Sequence, residues 1–169
     1  MNTIFERKSV RRYTDAPVGD EEVRDVLRAA MAAPSAHNQQ PWEFYVVRDA
    51  ERRAALSKVS QWAGPAGLAP VVIAACIRAG ELPAEPFAAQ DMGACVENLL
   101  VEAADKGLGA VWMGMYPVEE RVAAVADIVG APDGVRPFAL IALGHPDPKA
   151  EGEAQGPKRY DEARVHWLS

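Results

Sequence analysis

A chain of 169 residues with 49% apolar and 25% charged side chains is long enough to bury a core without disulfide or metal staples, and its composition excludes global disorder. A net charge of −6 excludes a broad nucleic-acid surface and makes any local basic cluster conspicuous. No apolar run approaches the roughly 20 residues that cross a bilayer, and the first seven residues lack an export pattern, so a cytoplasmic single domain over residues 1–169 is expected.

The first element is such a cluster. Arg7, Lys8, Arg11 and Arg12 fall within six positions around Ser9. Two cations and a hydroxyl converging on one point make a phosphate site, since arginine's planar fork matches phosphate oxygens in pairs. The competing reading is a solvated basic face that balances the acids at positions 20 to 25. Asp20 is the expected N-cap of a helix whose first turn carries Glu21 and Glu22. Val23, Val26, Leu27, Ala30 and Met31 then recur at helical spacing until Pro34.

Residues 33 to 42, Ala33-Pro34-Ser35-Ala36-His37-Asn38-Gln39-Gln40-Pro41-Trp42, carry hydroxyl and amide groups but no acid or strong base. Such groups suit a ligand edge that alternates C=O and N–H. They equally suit a solvated helix-to-strand connection punctuated by its prolines. Phe44 to Val47 reads as a strand, and Asp49 caps a helix to about Ser60 with Ala55, Leu56 and Val59 inward. A Gly/Pro loop from Gln61 to Pro70 feeds Val71 to Ile77, whose unbroken apolar run predicts a strand buried on both faces.

The longest helix is expected from Phe87 to Lys106, stopped by Gly107 in the left-handed capping position. Gly93 within it costs roughly 1 kcal/mol relative to alanine, which points to close approach of another backbone or a partner helix. Gly109 to Gly114 reads as a strand. Pro117 opens a helix with Val118, Val122, Val125 and Val129 inward and Gly130 as its stop, and Phe138 to Leu143 is the last strand. From about residue 147 to 169 the chain turns to Gly, Pro and charge, ending in the apolar Val165-His166-Trp167-Leu168, and is expected to be extended. The alternation of helix and strand predicts a sheet covered by helices on both sides.

No metal site is expected, because His37, His145 and His166 are scattered without carboxylates or cysteines at ligand spacing. Cys76 and Cys95 are read as buried thiols. The dinucleotide fingerprint is absent, and Ser35 is not in a nucleophile elbow. A cationic start, a neutral amide-rich loop and a late Lys158-Arg159 pair suit a phosphorylated cofactor whose own ring does the chemistry. Flavin mononucleotide (FMN) has that anatomy. Pyridoxal phosphate shares it but needs a Schiff-base lysine, and Lys58, Lys106 and Lys149 fall on polar faces.

Arg7 to Tyr13 and Ala33 to Trp42 resemble the two N-terminal signatures of the FMN-dependent nitroreductase family. Asp91-Met92-Gly93 with Glu97-Asn98-Leu99-Leu100, Gly107 to Gly114, Gly144-His145-Pro146, and Arg159-Tyr160-Asp161 with Val165-His166-Trp167 follow in the family's order. The resemblance implies an α+β, three-layer α/β/α sandwich with a largely antiparallel sheet. It also implies a homodimer with FMN at the subunit interface. Carried over to these positions, Arg7, Lys8, Ser9 and Arg11 hold phosphate and ribityl chain, joined by Lys158 and Arg159. Pro34, Ser35 and Ala36, with Asn38 and Gln40 nearby, come from the other subunit. Gln61 touches the pyrimidine edge, and the backbone of Met113, Gly114 and Met115 faces the hydride-accepting N5. No catalytic side chain is implied.

The 61 to 67 loop lacks the lysine that larger members often place there, and the polar segment from Arg78 to Pro86 is short. The implied activity is an NADH- or NADPH-dependent flavin oxidoreductase that reduces nitroaromatic, quinone or similar flat acceptors by ping-pong hydride transfer. Storage, sensing or delivery of FMN without turnover, and reductive dehalogenation on the same scaffold, are the alternatives.

Overall fold

The computed structural model describes residues 3–149 and 159–168. Four strands, β1 (Trp42–Val47), β2 (Val71–Ile77), β3 (Gly109–Gly114) and β4 (Arg136–Gly144), form one sheet in the order β1-β2-β4-β3, with every pairing antiparallel. Among the described residues six α-helices accompany it: α1 (Thr3–Glu6), α2 (Asp20–Met31), α3 (Ala50–Leu56), α4 (Pro65–Leu68), α5 (Ala88–Asp105) and α6 (Glu119–Val129). Alternation of helix and strand along the chain is compatible with parallel or antiparallel pairing. The observed pairing is the antiparallel one, as in the family the sequence resembles.

The sheet is central because β2 cannot be anywhere else. All seven of its residues are buried, and successive strand side chains alternate faces. Val71, Ile73, Ala75 and Ile77 enter a core shared with Val26 of α2 and Met92, Val96 and Leu99 of α5. Val72, Ala74 and Cys76 enter a second core with Leu56 of α3 and Val125 and Val129 of α6. Burying each large aliphatic side chain contributes roughly 1.5–3 kcal/mol, so the sheet gains on both sides at once. Cys76 and Cys95 are buried thiols, and burial pushes both up to about 12. No described helix is long and apolar enough to cross a membrane.

Local signals mostly act as the sequence predicts, with five corrections; Met31 at the end of the α2 stripe is exposed, and α3 stops at Leu56, short of Ser60. Asp49 caps α3 by accepting the Arg52 N–H at 2.8 Å, and Gly107 and Gly130 end α5 and α6 at φ +72° and +70°. Asp20 is not the cap of α2; Gly19 is, and the Glu22 carboxylate turns back to accept the Gly19 N–H at 2.7 Å. That leaves Asp20 to pair with Arg48 at 2.9 Å. Val118 stands before α6 and is exposed, outside the apolar stripe. Gly93 meets no close backbone among the described residues: a side-chain carbon there would lie 3.9 Å from the Trp112 ring, an ordinary contact.

Two other glycines do admit a close neighbour, the N-terminal arm that follows α1. Val10 donates its N–H to the Ala110 carbonyl at 2.9 Å, laying the arm parallel to the start of β3. A Cβ on Gly109 would sit 2.7 Å from the Val10 side chain, and one on Gly144 2.8 Å from the Tyr13 ring. The Tyr13 hydroxyl then meets the Val10 carbonyl at 2.6 Å and the Ala142 carbonyl at 3.2 Å, fastening the arm to the sheet.

Candidate cofactor and active site

β3 is an edge strand, and the arm covers only its beginning. In an antiparallel pair each residue turns its N–H and C=O to the same side, and that side alternates along the strand. The Ala110 carbonyl faces the arm, so Trp112 and Gly114 also turn their backbone groups away from β4. Gly114 confirms the sense, because its carbonyl accepts from Arg121 Nη1 at 3.3 Å. No atom lies within 4 Å of the place a Gly114 side chain would take, so its backbone is open to approach.

A cavity of about 350 Å³ lies at this end of the edge, lined by Arg11, Trp62, Val111, Trp112, Met113, Gly114 and Arg121. Two arginines and Trp62 line it beside the β3 backbone and no acidic residue does, while the Trp112 ring turns to Phe138 at 5.5 Å. Among the described residues neither arginine has a carboxylate partner. Arg11 donates to the Ser9 carbonyl at 3.5 Å and Arg121 to that of Gly114, and a backbone carbonyl neutralises neither charge. Like charges that converge without counterions favour an anionic ligand. The donor set fits FMN: positive potential for an anionic cofactor, the Trp62 indole for a flat ring, and outward N–H and C=O groups for its heteroatom edge.

The loop from Ala33 to Trp42 is built the opposite way. His37, Asn38 and Gln40 have φ of +51°, +53° and +46°, a region that costs most side chains energy. The conformation is held from beneath by a buried pair. Gln39 Nε2 donates to Asp91 Oδ2 at 2.6 Å and to the Ala84 carbonyl at 3.0 Å, while Gln39 Oε1 accepts the Ala84 N–H at 2.9 Å. Asp91 Oδ1 accepts the Ala36 N–H at 3.0 Å. Above this anchor Ser35 Oγ accepts the Gln40 N–H at 3.0 Å, and Gln40 Nε2 donates to Asn38 Oδ1 at 3.2 Å. Arg78 spans the Gln39 and Gln40 carbonyls at 3.3 and 3.4 Å.

Of the residues singled out from sequence, Arg11, Met113 and Gly114 meet at the cavity, with Ser9 beside Ala110 further back along the same edge. Arg7 pairs through Nε with Glu97 of α5 at 2.9 Å, which leaves its two terminal nitrogens for another partner. Lys8 is exposed. Gln61 is exposed in the turn beside Trp62 but does not line the cavity. Met115 is not brought to this surface. Its side chain is buried, its N–H is donated to the Phe138 carbonyl at 3.0 Å, and its own carbonyl accepts from Val118.

Pro34, Ser35, Ala36, Asn38 and Gln40 line no part of this cavity. Arg159 is exposed at the start of the described C-terminal segment, and Lys158 lies outside the described residues. Sequence reasoning missed Trp62, Arg121 and the Gln39–Asp91 anchor. Asp91 had a signal, since it interrupts an otherwise apolar face of α5 between Ala88 and Cys95. Arg121 had none, because nothing in its neighbourhood separates it from any helix-surface cation.

Residues 4–69 and 63–145 match the sequence profile of the Nitroreductase family. An Archaeoglobus fulgidus protein provisionally named an NADH dehydrogenase/NAD(P)H nitroreductase is 37% identical over 169 residues, covering 98% of this chain and 95% of its own. A Clostridium acetobutylicum protein of known structure, provisionally named an NADH oxidase, is 39% identical with a TM-score of 0.90 over 97% of both chains. A provisionally named nitroreductase from Desulfovibrio desulfuricans, solved in complex with FMN, is 32% identical with a TM-score of 0.76, over 99% of this chain and 94% of its own.

Proposed function

The chain belongs to the nitroreductase family, and from that membership we propose an FMN-dependent oxidoreductase that takes hydride from NADH or NADPH and reduces a nitroaromatic, quinone or similar flat acceptor. The observation that carries this reading is the β3 edge, where two guanidinium groups without carboxylate partners flank outward-facing backbone donors and acceptors. When bound, FMN supplies the ring that accepts and releases hydride.

The protein's part is binding and orientation. Arg7, Lys8, Ser9 and Arg11 hold the phosphate through charge-assisted hydrogen bonds, with Arg159 and Lys158 joining from the C-terminal segment. The open N–H of Gly114 would face the hydride-accepting N5, Met113 would support it through its own pairing with β4, and the Gln61 amide would meet the pyrimidine edge. Met115, its backbone already paired, acts by holding the end of β3 in place. Pro34, Ser35, Ala36, Asn38 and Gln40 reach the cofactor of a second subunit in a homodimer, a role that suits a loop preset by its own hydrogen bonds. Exposed Val165, Trp167 and Leu168 supply apolar surface for that assembly. In each subunit helices on both faces of the sheet give the three-layer sandwich. One site serves donor and acceptor in turn, so the kinetics are ping-pong, and no side chain transfers a proton.

The test begins with purified protein titrated with FMN. Uptake with a flavin absorbance band, bleaching by NADH or NADPH under anaerobic conditions and recovery on adding a quinone or nitroaromatic are expected. A protein that takes up no FMN, or whose flavin stays oxidised with both donors, defeats the proposal. Arg7→Ala with Arg11→Ala removes two charge partners worth about 1.5–3 kcal/mol each and weakens FMN binding at least about a hundredfold.

A further inference from the structure

Arg121 belongs to none of the motifs that mark the site, yet its guanidinium lines the cavity at the far end of the β3 edge. The edge has two chemically different ends. Ser9 and its cationic neighbours lie beside Ala110, and Arg121 is bonded to Gly114. Four residues of extended strand separate Ala110 from Gly114, roughly 13 Å, comparable to the reach from a phosphate to a ring across a ribityl chain. Trp62 lines the cavity together with Arg121 and offers a flat ring an indole partner, while the Trp112 ring packs on Phe138 at 5.5 Å. The 3.3 Å bond to the Gly114 carbonyl places the charge beside the end of the strand, because one of the guanidinium nitrogens is already committed there.

We propose that Arg121 is a redox-tuning residue that acts on the flavin ring and not on the phosphate, favouring the ring's reduced, more negative form. The inference rests on the FMN-dependent reading above. Hydride transfer moves one proton and two electrons from the donor's nicotinamide, which becomes cationic, to the ring, whose net charge falls by one. A guanidinium at the ring therefore binds the reduced state more strongly than the oxidised state, whereas a cation at the phosphate holds both alike. Arg11 lines the same cavity from the arm and adds to the positive potential, but its position beside Ser9 links it to both ends.

The experiment uses full-length protein reconstituted with FMN, comparing wild type with Arg121→Gln and Arg121→Lys. Glutamine can still donate to the Gly114 carbonyl, so the backbone contact and the charge are separated. Binding of oxidised FMN is followed by fluorescence quenching, and the two-electron midpoint potential by equilibration with a reference dye. The expected result for Arg121→Gln is an affinity for oxidised FMN within about threefold of wild type and for reduced FMN about tenfold weaker, which lowers the potential by about 30 mV for a two-electron couple. Arg121→Lys, which keeps the charge, retains the wild-type potential. Equal weakening of both redox states with an unchanged potential overturns the assignment, and so does an Arg121→Gln protein indistinguishable from wild type. A wild-type protein that takes up no FMN defeats the functional reading and this inference with it; a wild type that binds FMN beside variants of unaltered potential defeats the role of Arg121 alone.

Discussion

The β3 edge and the loop from Ala33 to Trp42 approach ligand binding from opposite directions. At the edge, Arg11 and Arg121 keep their charges uncompensated and the backbone of Trp112 and Gly114 keeps its donors and acceptors free of the sheet. In the loop, Ser35, Gln39 and Gln40 spend hydrogen bonds within the chain, and three residues are held at positive φ to do so. The edge stores binding capacity as unsatisfied polarity, while the loop stores it as shape. A site can therefore combine one surface that needs its ligand and another that is complete without it.

The largest expected effect bears on the loop. Asp91→Ala removes the acceptor of two hydrogen bonds beneath it, leaving the Ala36 N–H and one of the two Gln39 Nε2 hydrogens without that partner, so urea unfolding should show a loss of about 3 kcal/mol. A loss under about 1 kcal/mol would mean that the strained turn holds itself. Next comes the edge. Gly109→Ala puts a methyl group 2.7 Å from Val10, and the arm must lift. FMN affinity is then expected to fall about tenfold, against a stability cost of only about 1–2 kcal/mol. If affinity is untouched, the arm is not the phosphate-holding element.

A smaller effect separates shape from chemistry in the loop. Gln40→Val, which suits positive φ poorly, should destabilise by more than about 1 kcal/mol, whereas Gln40→Gly should be neutral to slightly stabilising. Equal destabilisation by both, read from thermal unfolding, would give the weight to the side-chain bond with Asn38. The smallest effect is a control outside both regions. Lys106 lies 2.5 Å from Asp25 and, with Arg28, holds its carboxyl below the ordinary range. A depressed folded value adds stability above the unfolded carboxylate range, near pH 4, that is lost as pH falls through the folded value. Asp25→Asn should flatten that acid limb in a pH series of melts without altering FMN binding.

Legibility in the sequence followed the range of the interaction. Elements set by neighbours were plain: the stripe of α2, the Asp49 cap, the Gly107 and Gly130 stops and the unbroken apolar run of β2. The charge cluster at Arg7 to Arg12 was equally visible, although the fold divides it, sending Arg7 to Glu97 and Arg11 to the cavity. Strand order was not readable, because helix and strand alternate in parallel and antiparallel folds alike. The Gln39–Asp91 pair spans 52 positions and Arg121 reaches Gly114 from a helix surface, so neither leaves a local pattern. Even the Gly19 cap was hidden, since Asp20 has the better side chain and only the return of Glu22 decides between them.

The all-apolar character of β2 carries a cost during synthesis. Its β1 partner precedes it, but the β4 partner leaves the ribosome about sixty residues later. At roughly 5–20 residues per second that interval lasts about 3–12 s. Through it, Val71 to Ile77 presents a seven-residue uncharged edge with strong β propensity, the kind of segment that pairs with other chains. Slowing translation between α5 and β4 is thus expected to raise aggregation of nascent chains, and faster arrival of Arg136 to Gly144 to lower it.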